Sequence, residues 1–256
     1  MQGMSWKTPL VLLVAAAVLC GDETARPTRE ADVALRLNIP AFRLDLLQAG
    51  VVTASYPVAV GEPRYPTPAG EFRLTHITWN PWWYPPPSEW ARNDSIHPPG
   101  SSNPMGPVKL QFGERYFLHG TPLESSIGKA ASHGCVRMRD VDAHALARAV
   151  NRLAGGGVPD DSLDLIQSDS SRTVTVTLRE PLPIAVVYVT VEVHAGRLYV
   201  HRDIYGRDPP SETRVRETLS IAAVDTGRVD RAAIARIVRS SRRRSTSIPI
   251  DSLIAL

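Results

Sequence analysis

A chain of 256 residues has room for one large domain, or for one domain with an appendage, around a sizeable core. Its 43% apolar and 21% charged residues are the balance of a soluble globular protein. A formal net charge of +3 gives no grounds for a nucleic-acid partner.

Residues 1–20 read as a targeting segment that takes no part in the fold. Lys7 supplies a positive start, and Leu10 to Leu19 is an apolar run, the length of a signal-peptide core and too short to span a bilayer. Cys20 follows directly, where a bacterial lipoprotein carries its lipidated cysteine, although Leu19 stands where a small residue is expected. Two readings stay open: attachment to the membrane through Cys20, or cleavage. Either implies export to the periplasm or cell envelope. It also leaves Cys135 as a lone thiol, since a disulfide between the two cysteines would block it.

Residues 21–32 are a polar tether. Val33 to Asn38 and Ala41 to Leu47 alternate apolar and polar side chains and predict strands. Gln48 to Gly50 turn the chain back into a strand over Val51 to Val60. Gly61 to Gly70 is a Pro/Gly loop, and Glu71 to Trp79 is a further strand. Residues 79–90 (WNPWWYPPPSEW) are too rich in proline for a helix before Ser88. This stiff aromatic stretch suits a groove wall, with Trp83 and Trp90 as substrate-binding candidates; packing over one end of a barrel is the alternative. Arg92 to Pro107 is a long loop, and Val108 to Phe112 with Arg115 to Leu118 predict a hairpin around Gly113-Glu114.

After Met138 the period becomes helical. Asp140 is read as N-cap, Val141, Ala145, Leu146, Ala149, Val150 and Leu153 as the apolar face, and Gly155 to Gly157 as the stop. Ser162 to Gln167 is read as a closing strand. The main domain is thus placed at 33–167, mainly β, a mixed sheet or barrel with one main helix. A linker at 168–171 precedes a β-rich C-terminal extension at 172–256, with strands over Thr173 to Leu178 and Ile184 to Val193. Leu198 to Tyr205 is expected to pair with the latter across Ala195-Gly196, and Val229 to Val238 to be helical. Arg242 to Arg244 form a basic cluster, either a solvated tail or a contact for anionic lipid or polymer.

The chemistry concentrates in residues 117–138, FLHGTPLESSIGKAASHGCVRM. A thiol is mostly protonated at neutral pH, so Cys135 needs a base or a positive neighbour to act as a nucleophile. His133 is two residues away, on the same side of an extended segment; His119 is far enough upstream to come from a neighbouring strand. Gly134 leaves room for a substrate carbonyl, and the amides of Gly134 and Cys135 are candidate oxyanion donors. An inert buried cysteine, or a zinc site of His119, His133 and Cys135, are the competing readings; the latter lacks a visible fourth ligand. Arg137 as a surface group is the plain alternative for that residue.

The pattern His119-Gly120-Thr121, a spacer from Pro122 to Ala131, then Ser132-His133-Gly134-Cys135-Val136-Arg137 resembles the signature of the YkuD-type L,D-transpeptidases. The blocks NIPAFRLDL at 38–46, YPVAVG at 56–61, TPAGEF at 67–72, PPPSEW at 85–90 and SNPMGP at 102–107 resemble the ErfK/YbiS-like branch. The resemblance implies a YkuD-like catalytic domain over 33–167, a Cys135 nucleophile, and His119 as proton donor and acceptor, oriented by the Gly120 carbonyl. It implies supporting roles for Ser132, His133 and Gly134, and a substrate carboxylate at Arg137. It implies a thioester with a peptidoglycan tetrapeptide stem, release of D-alanine, and transfer to an amine to give 3→3 cross-links. Trimming by water (an L,D-carboxypeptidase) and transfer to a lipoprotein lysine share that chemistry. A non-catalytic wall-binding protein is the remote alternative. No cofactor or metal is expected.

Overall fold

The computed structural model describes residues 32–254; the segment expected to direct export, Cys20 and nearly all of the expected tether lie outside the described residues. The described chain opens with β1 (Val33–Asn38), β2 (Arg43–Gln48), β3 (Val51–Gly61) and β4 (Gly70–Trp79), then β5 (Val108–Phe112), β6 (Phe117–His119), β7 (Ala130–Ser132) and β8 (Val136–Met138). Helices α1 (Asp140–Leu153) and α2 (Asp160–Ser168) follow, then β9 (Val174–Val187), β10 (Val191–His194) and β11 (Arg197–Val200). The chain ends with α3 (Glu212–Ile221), α4 (Arg231–Ser241) and β12 (Thr246–Pro249).

The protein is mainly β. The main sheet runs β2-β1-β9-β4-β5-β6-β8-β3, and β3 pairs back onto β2, so eight strands close on themselves while β7 adds to β3. Closure removes free edges and leaves an interior for every second side chain. Leu35, Leu37, Leu44, Val58, Leu74, Ile77, Leu110, Phe112, Leu118, Val136 and Ile184 fill it. Strand β9 is the keystone. It runs parallel to β1 (Leu35 opposite Ile184) and antiparallel to β4, from Gly70 opposite Val186 to Trp79 opposite Val174. The boundary expected at Gln167 therefore cuts through the barrel, and the two strands expected over 173–193 are one long strand and a separate short one.

Ser162 to Gln167 is not a closing strand but most of α2. Two aspartates open that helix, Leu163 is buried and Ile166 packs on the core, a helical spacing that a short apolar run conceals. The face of α1 is also rotated from expectation: Ala143, Leu146, Ala147 and Val150 are buried, while Val141 and Leu153 are exposed. Asp140 does not cap α1; Arg139 holds the N-cap position. The Asp140 carboxylate instead accepts the Thr121 N–H at 2.8 Å, tying the helix start to the turn after β6.

Beyond the barrel, β10, β11 and β12 form an antiparallel sheet that packs with α3 and α4 around a second core of Val191, Leu198, Val200, Val215, Leu219, Ile234 and Leu253. The extension is thus mixed rather than β alone, with α3 and α4 capped by the side chains of Ser211 and Asp230. It is fastened to the barrel by a buried network. Arg43 on β2 reaches both Asp45 and Glu192, and His201 meets the same Glu192 at 2.9 Å. Asn38 exchanges two hydrogen bonds with the Val189 backbone, each 3.1 Å.

Candidate active site

Three neighbouring strands set the site. Across β5, β6 and β8, Leu110, Leu118 and Val136 lie side by side and point into the core. The next row, on the opposite face by alternation, pairs Lys109 with His119 and His119 with Arg137. The imidazole is thus flanked by two cations. Cys135 lies in the bend just before β8 and opens on the same cleft as Lys109.

His119 is buried at 4% exposure, and its Nδ1 lies 2.6 Å from the Gly120 carbonyl. A carbonyl only accepts, so Nδ1 carries the proton and Nε2 keeps a free lone pair. Burial above all, then Arg137 and Lys109, lowers the His119 pKa to about 4, against the opposing pull of the Gly120 bond. Burial likewise raises the Cys135 thiol above its ordinary value, a push that Phe117, Arg137 and Lys109 only partly offset. The resting pair is therefore neutral imidazole and neutral thiol. The thiol rests 3.7 Å from the Arg115 carbonyl.

The loop carrying the thiol is tightly braced. The Ser132 hydroxyl accepts the Gly134 N–H at 3.2 Å and donates to the Cys135 carbonyl. The Gly134 amide is thereby engaged by Ser132, against its expected role as an oxyanion donor. Gly134 is required here for conformation: its φ is +107°, and a Cβ would sit 3.2 Å from the Tyr116 ring. Thr67, fully buried, donates its hydroxyl to the Gly134 carbonyl at 3.0 Å and accepts the Gly61 N–H at 2.8 Å. Gly120 is equally constrained. A Cβ there would lie 2.4 Å from Asp140 Oδ1 and 2.8 Å from Pro107 Cδ.

A cleft of about 510 Å³ opens over Cys135, with His133, Lys109, Tyr116, Trp83 and Trp90 among its lining. Arg137 is half-buried beside it and does not line it. His133 is exposed and sandwiched: Trp90 stacks flat on it at 3.9 Å and 1°, and Tyr65 leans on it at 5.0 Å. Trp83 packs edge-on against His97 at 5.5 Å. The rings that face solvent at the cleft are Trp82 and Tyr84, stacked at 6.3 Å. Lys109, Tyr116 and Thr67 escaped the sequence reading. Counting back through the expected Gly113-Glu114 turn pairs Lys109 with Leu118; the turn holds a third residue, Arg115, which shifts the register by one and sets Lys109 opposite His119. Thr67 opens the TPAGEF block but was given no role there, and Tyr116 gave no signal, since only long-range packing brings them to the loop.

Residues 32–178 match the family model described as the YkuD L,D-transpeptidase catalytic domain. The chain belongs to the YkuD family of L,D-transpeptidases. It is 32% identical over 117 residues to the putative L,D-transpeptidase YkuD of Bacillus subtilis, covering 45% of this chain and 59% of that protein. It is 30% identical over 115 residues to the probable L,D-transpeptidase ErfK/SrfK of Salmonella typhimurium, covering 41% of this chain and 37% of that one. Among solved structures, L,D-transpeptidase 3 from Mycobacterium tuberculosis aligns with a TM-score of 0.42 at 15% identity, over 61% of each chain. The chain spans about three-fifths of the length of the Bacillus YkuD relative it matches. The family match ends at residue 178, inside β9.

Proposed function

We propose that this protein is an exported L,D-transpeptidase in which Cys135 forms a thioester with a peptidoglycan tetrapeptide stem and passes the acyl group to an amine. The observation that carries this reading is the row Lys109–His119–Arg137, with Nδ1 of His119 tied to the Gly120 carbonyl and Cys135 under an open cleft that Lys109 also lines. In the first step His119 Nε2 takes the thiol proton as Sγ attacks the carbonyl of the third stem residue. The Cys135 amide receives the developing oxyanion. The C–N bond to D-alanine then breaks, and the imidazolium returns its proton to the leaving amine. In the second step a diaminopimelate side-chain amine attacks the thioester, His119 takes the amine proton, the C–S bond breaks and the proton returns to the Cys135 sulfur, leaving a 3→3 cross-link.

Because both groups rest neutral, the proton moves during the attack rather than before it. Lys109 and Arg137 then favour the negative sulfur transiently, and Lys109, which lines the cleft, suits a stem carboxylate. His133, held between Trp90 and Tyr65, forms one wall of the acyl pocket, and Ser132 fixes the loop. Trp83 and Trp90 shape the wall, and the exposed Trp82 and Tyr84 meet the substrate.

Incubation of the protein with disaccharide-tetrapeptide, followed by mass spectrometry of protein and products, tests this. The expected result is an acyl adduct on Cys135, absent in Cys135→Ala, together with 3→3 dimers. Tripeptide without dimers would assign the acceptor to water, and a lipoprotein-linked product to a lysine. An adduct that survives in Cys135→Ala would remove the nucleophile assigned here. Export is tested separately, by fractionating cells that make the full chain.

A further inference from the structure

The segment after β11 lies beyond the matched catalytic domain, yet one of its side chains reaches the loop that carries the thiol. The Tyr205 hydroxyl donates to the Gly61 carbonyl at 2.6 Å and accepts the Thr67 N–H at 3.2 Å. Thr67 in turn accepts from the Gly61 N–H and donates to the Gly134 carbonyl, the peptide that joins Gly134 to Cys135. Gly61 has no room for a side chain, since a Cβ would fall 2.1 Å from the Tyr65 carbonyl. The end of β3, the turn to Thr67 and the thiol loop are therefore clasped around one phenol.

Tyr205 is itself firmly held. Its ring stacks on Tyr188 at 5.5 Å, its N–H donates to the Tyr188 hydroxyl at 2.8 Å, and Tyr188 donates to Asp203. Asp203 also accepts the N–H groups of Arg207 and Asp208, and the Arg207 guanidinium lies 5.1 Å over the Tyr205 ring. Four hydrogen bonds thus lead from a rigid aromatic pair to the peptide beside the nucleophile. A buried chain of this kind fixes geometry, because each member has its partners and no spare donor to redirect.

We propose that Tyr205 is a positioning residue of the acyl-transfer site, acting through Thr67 to fix the Gly134–Cys135 peptide, so that the C-terminal extension is part of the catalytic unit. This rests on the reading of Cys135 as nucleophile. Tyr205 touches no reacting atom; it sets the angle from which the sulfur and the Cys135 amide meet the substrate carbonyl. Displacements of an ångström at such a distance from the chemistry lower rates by up to about a hundredfold.

The test uses the full chain, with Tyr205→Phe removing only the hydroxyl, Thr67→Val removing the relay, and Thr67→Ser retaining it. Acylation of Cys135 by a carbapenem and turnover of disaccharide-tetrapeptide are measured beside thermal melting. Tyr205→Phe and Thr67→Val are each expected to lower kcat and the acylation rate roughly tenfold with KM within about twofold. Thr67→Ser is expected to stay near the wild-type rate, and the double variant to be no slower than either single one, as for members of one chain. A Tyr205→Phe protein that melts earlier but keeps the wild-type kcat would reduce Tyr205 to a structural residue and overturn the proposal. If the wild type itself takes no acyl group from either reagent, the proposed function fails instead. Alkylation of Cys135 by iodoacetamide then decides on Tyr205: a rate changed at least threefold in Tyr205→Phe supports the relay, and an unchanged rate overturns it.

Discussion

At the scale of single residues, the site turns on a histidine kept neutral by its surroundings. A base is useful only in the pH range where its lone pair is free, and His119, buried with cations on both flanks, keeps its lone pair down to about pH 4. The acid limb of the acylation rate is therefore expected near pH 4 rather than near the ordinary histidine value. Lys109→Met removes one of the two cations, and Coulomb repulsion of the imidazolium falls with it. Its acid limb is expected to move upward toward 6.5, read from the pH dependence of single-turnover carbapenem acylation. An unmoved limb would mean that Lys109 does not face the ring in solution. Trp82 belongs to the same scale: Trp82→Ala is expected to raise KM for disaccharide-tetrapeptide several-fold, with kcat and the melting temperature nearly unchanged, because its ring is 43% exposed and stacks only on Tyr84, itself exposed.

At the scale of elements, glycines and short turns hold the chemistry. A methyl group on Gly120 would fall 2.4 Å from the Asp140 carboxylate oxygen, 2.8 Å from the Pro107 ring and 3.3 Å from the Gly106 Cα. Gly120→Ala is expected to destabilise the protein by about 3 kcal/mol, at the upper end of overpacking effects. Adding Asp140→Ala should recover only part of this, since the Pro107 contact at 2.8 Å remains; urea melts of the three variants measure both numbers. The strands from Val33 to Leu118 and the hairpin before His119 were legible because alternation and Pro/Gly turns mark them locally. The pairing of the histidine turn with the Ser132–Arg137 stretch was legible too, through the resemblance to a family. What failed was set by competing hydrogen bonds or hidden by a short run. Asp140 has the right side chain for a cap, but the Thr121 amide outcompetes the helix for it. The amide of Gly134 looked free in the sequence and is taken by Ser132. The run from Ser162 to Gln167 is too short to distinguish strand from helix by period.

At the scale of the whole molecule, a chain read as domain plus extension is one interlocked structure. Strand β9 lies between β1 and β4, so a chain stopped after Gln167 would leave two open edges in the barrel and is expected to aggregate rather than fold. Beyond β9, the joint between barrel and extension is ionic: Glu192 is shared by Arg43 and His201. Burial alone would raise its pKa, but the hydrogen bonds from His201 and Arg43 outweigh it and bring Glu192 to about 2. A carboxylate held below its unfolded value of about 4.3 contributes stability that is complete above that value and lost as pH falls through 2. His119 works over a higher window, because the unfolded chain takes up its proton from 6.5 downward and the folded one only near 4. Acid therefore removes stability in two stages, first through His119 and then through Glu192. Glu192→Gln is expected to lose about 2–3 kcal/mol at pH 7, since it leaves the Arg43 guanidinium half-buried beside a neutral amide. The same variant should lose less than the wild type between pH 4 and pH 2, because its joint no longer titrates. Urea melts at pH 7, 4 and 2.5 separate the stages: a wild-type curve that is flat below pH 4 would show that the joint carries no such charge.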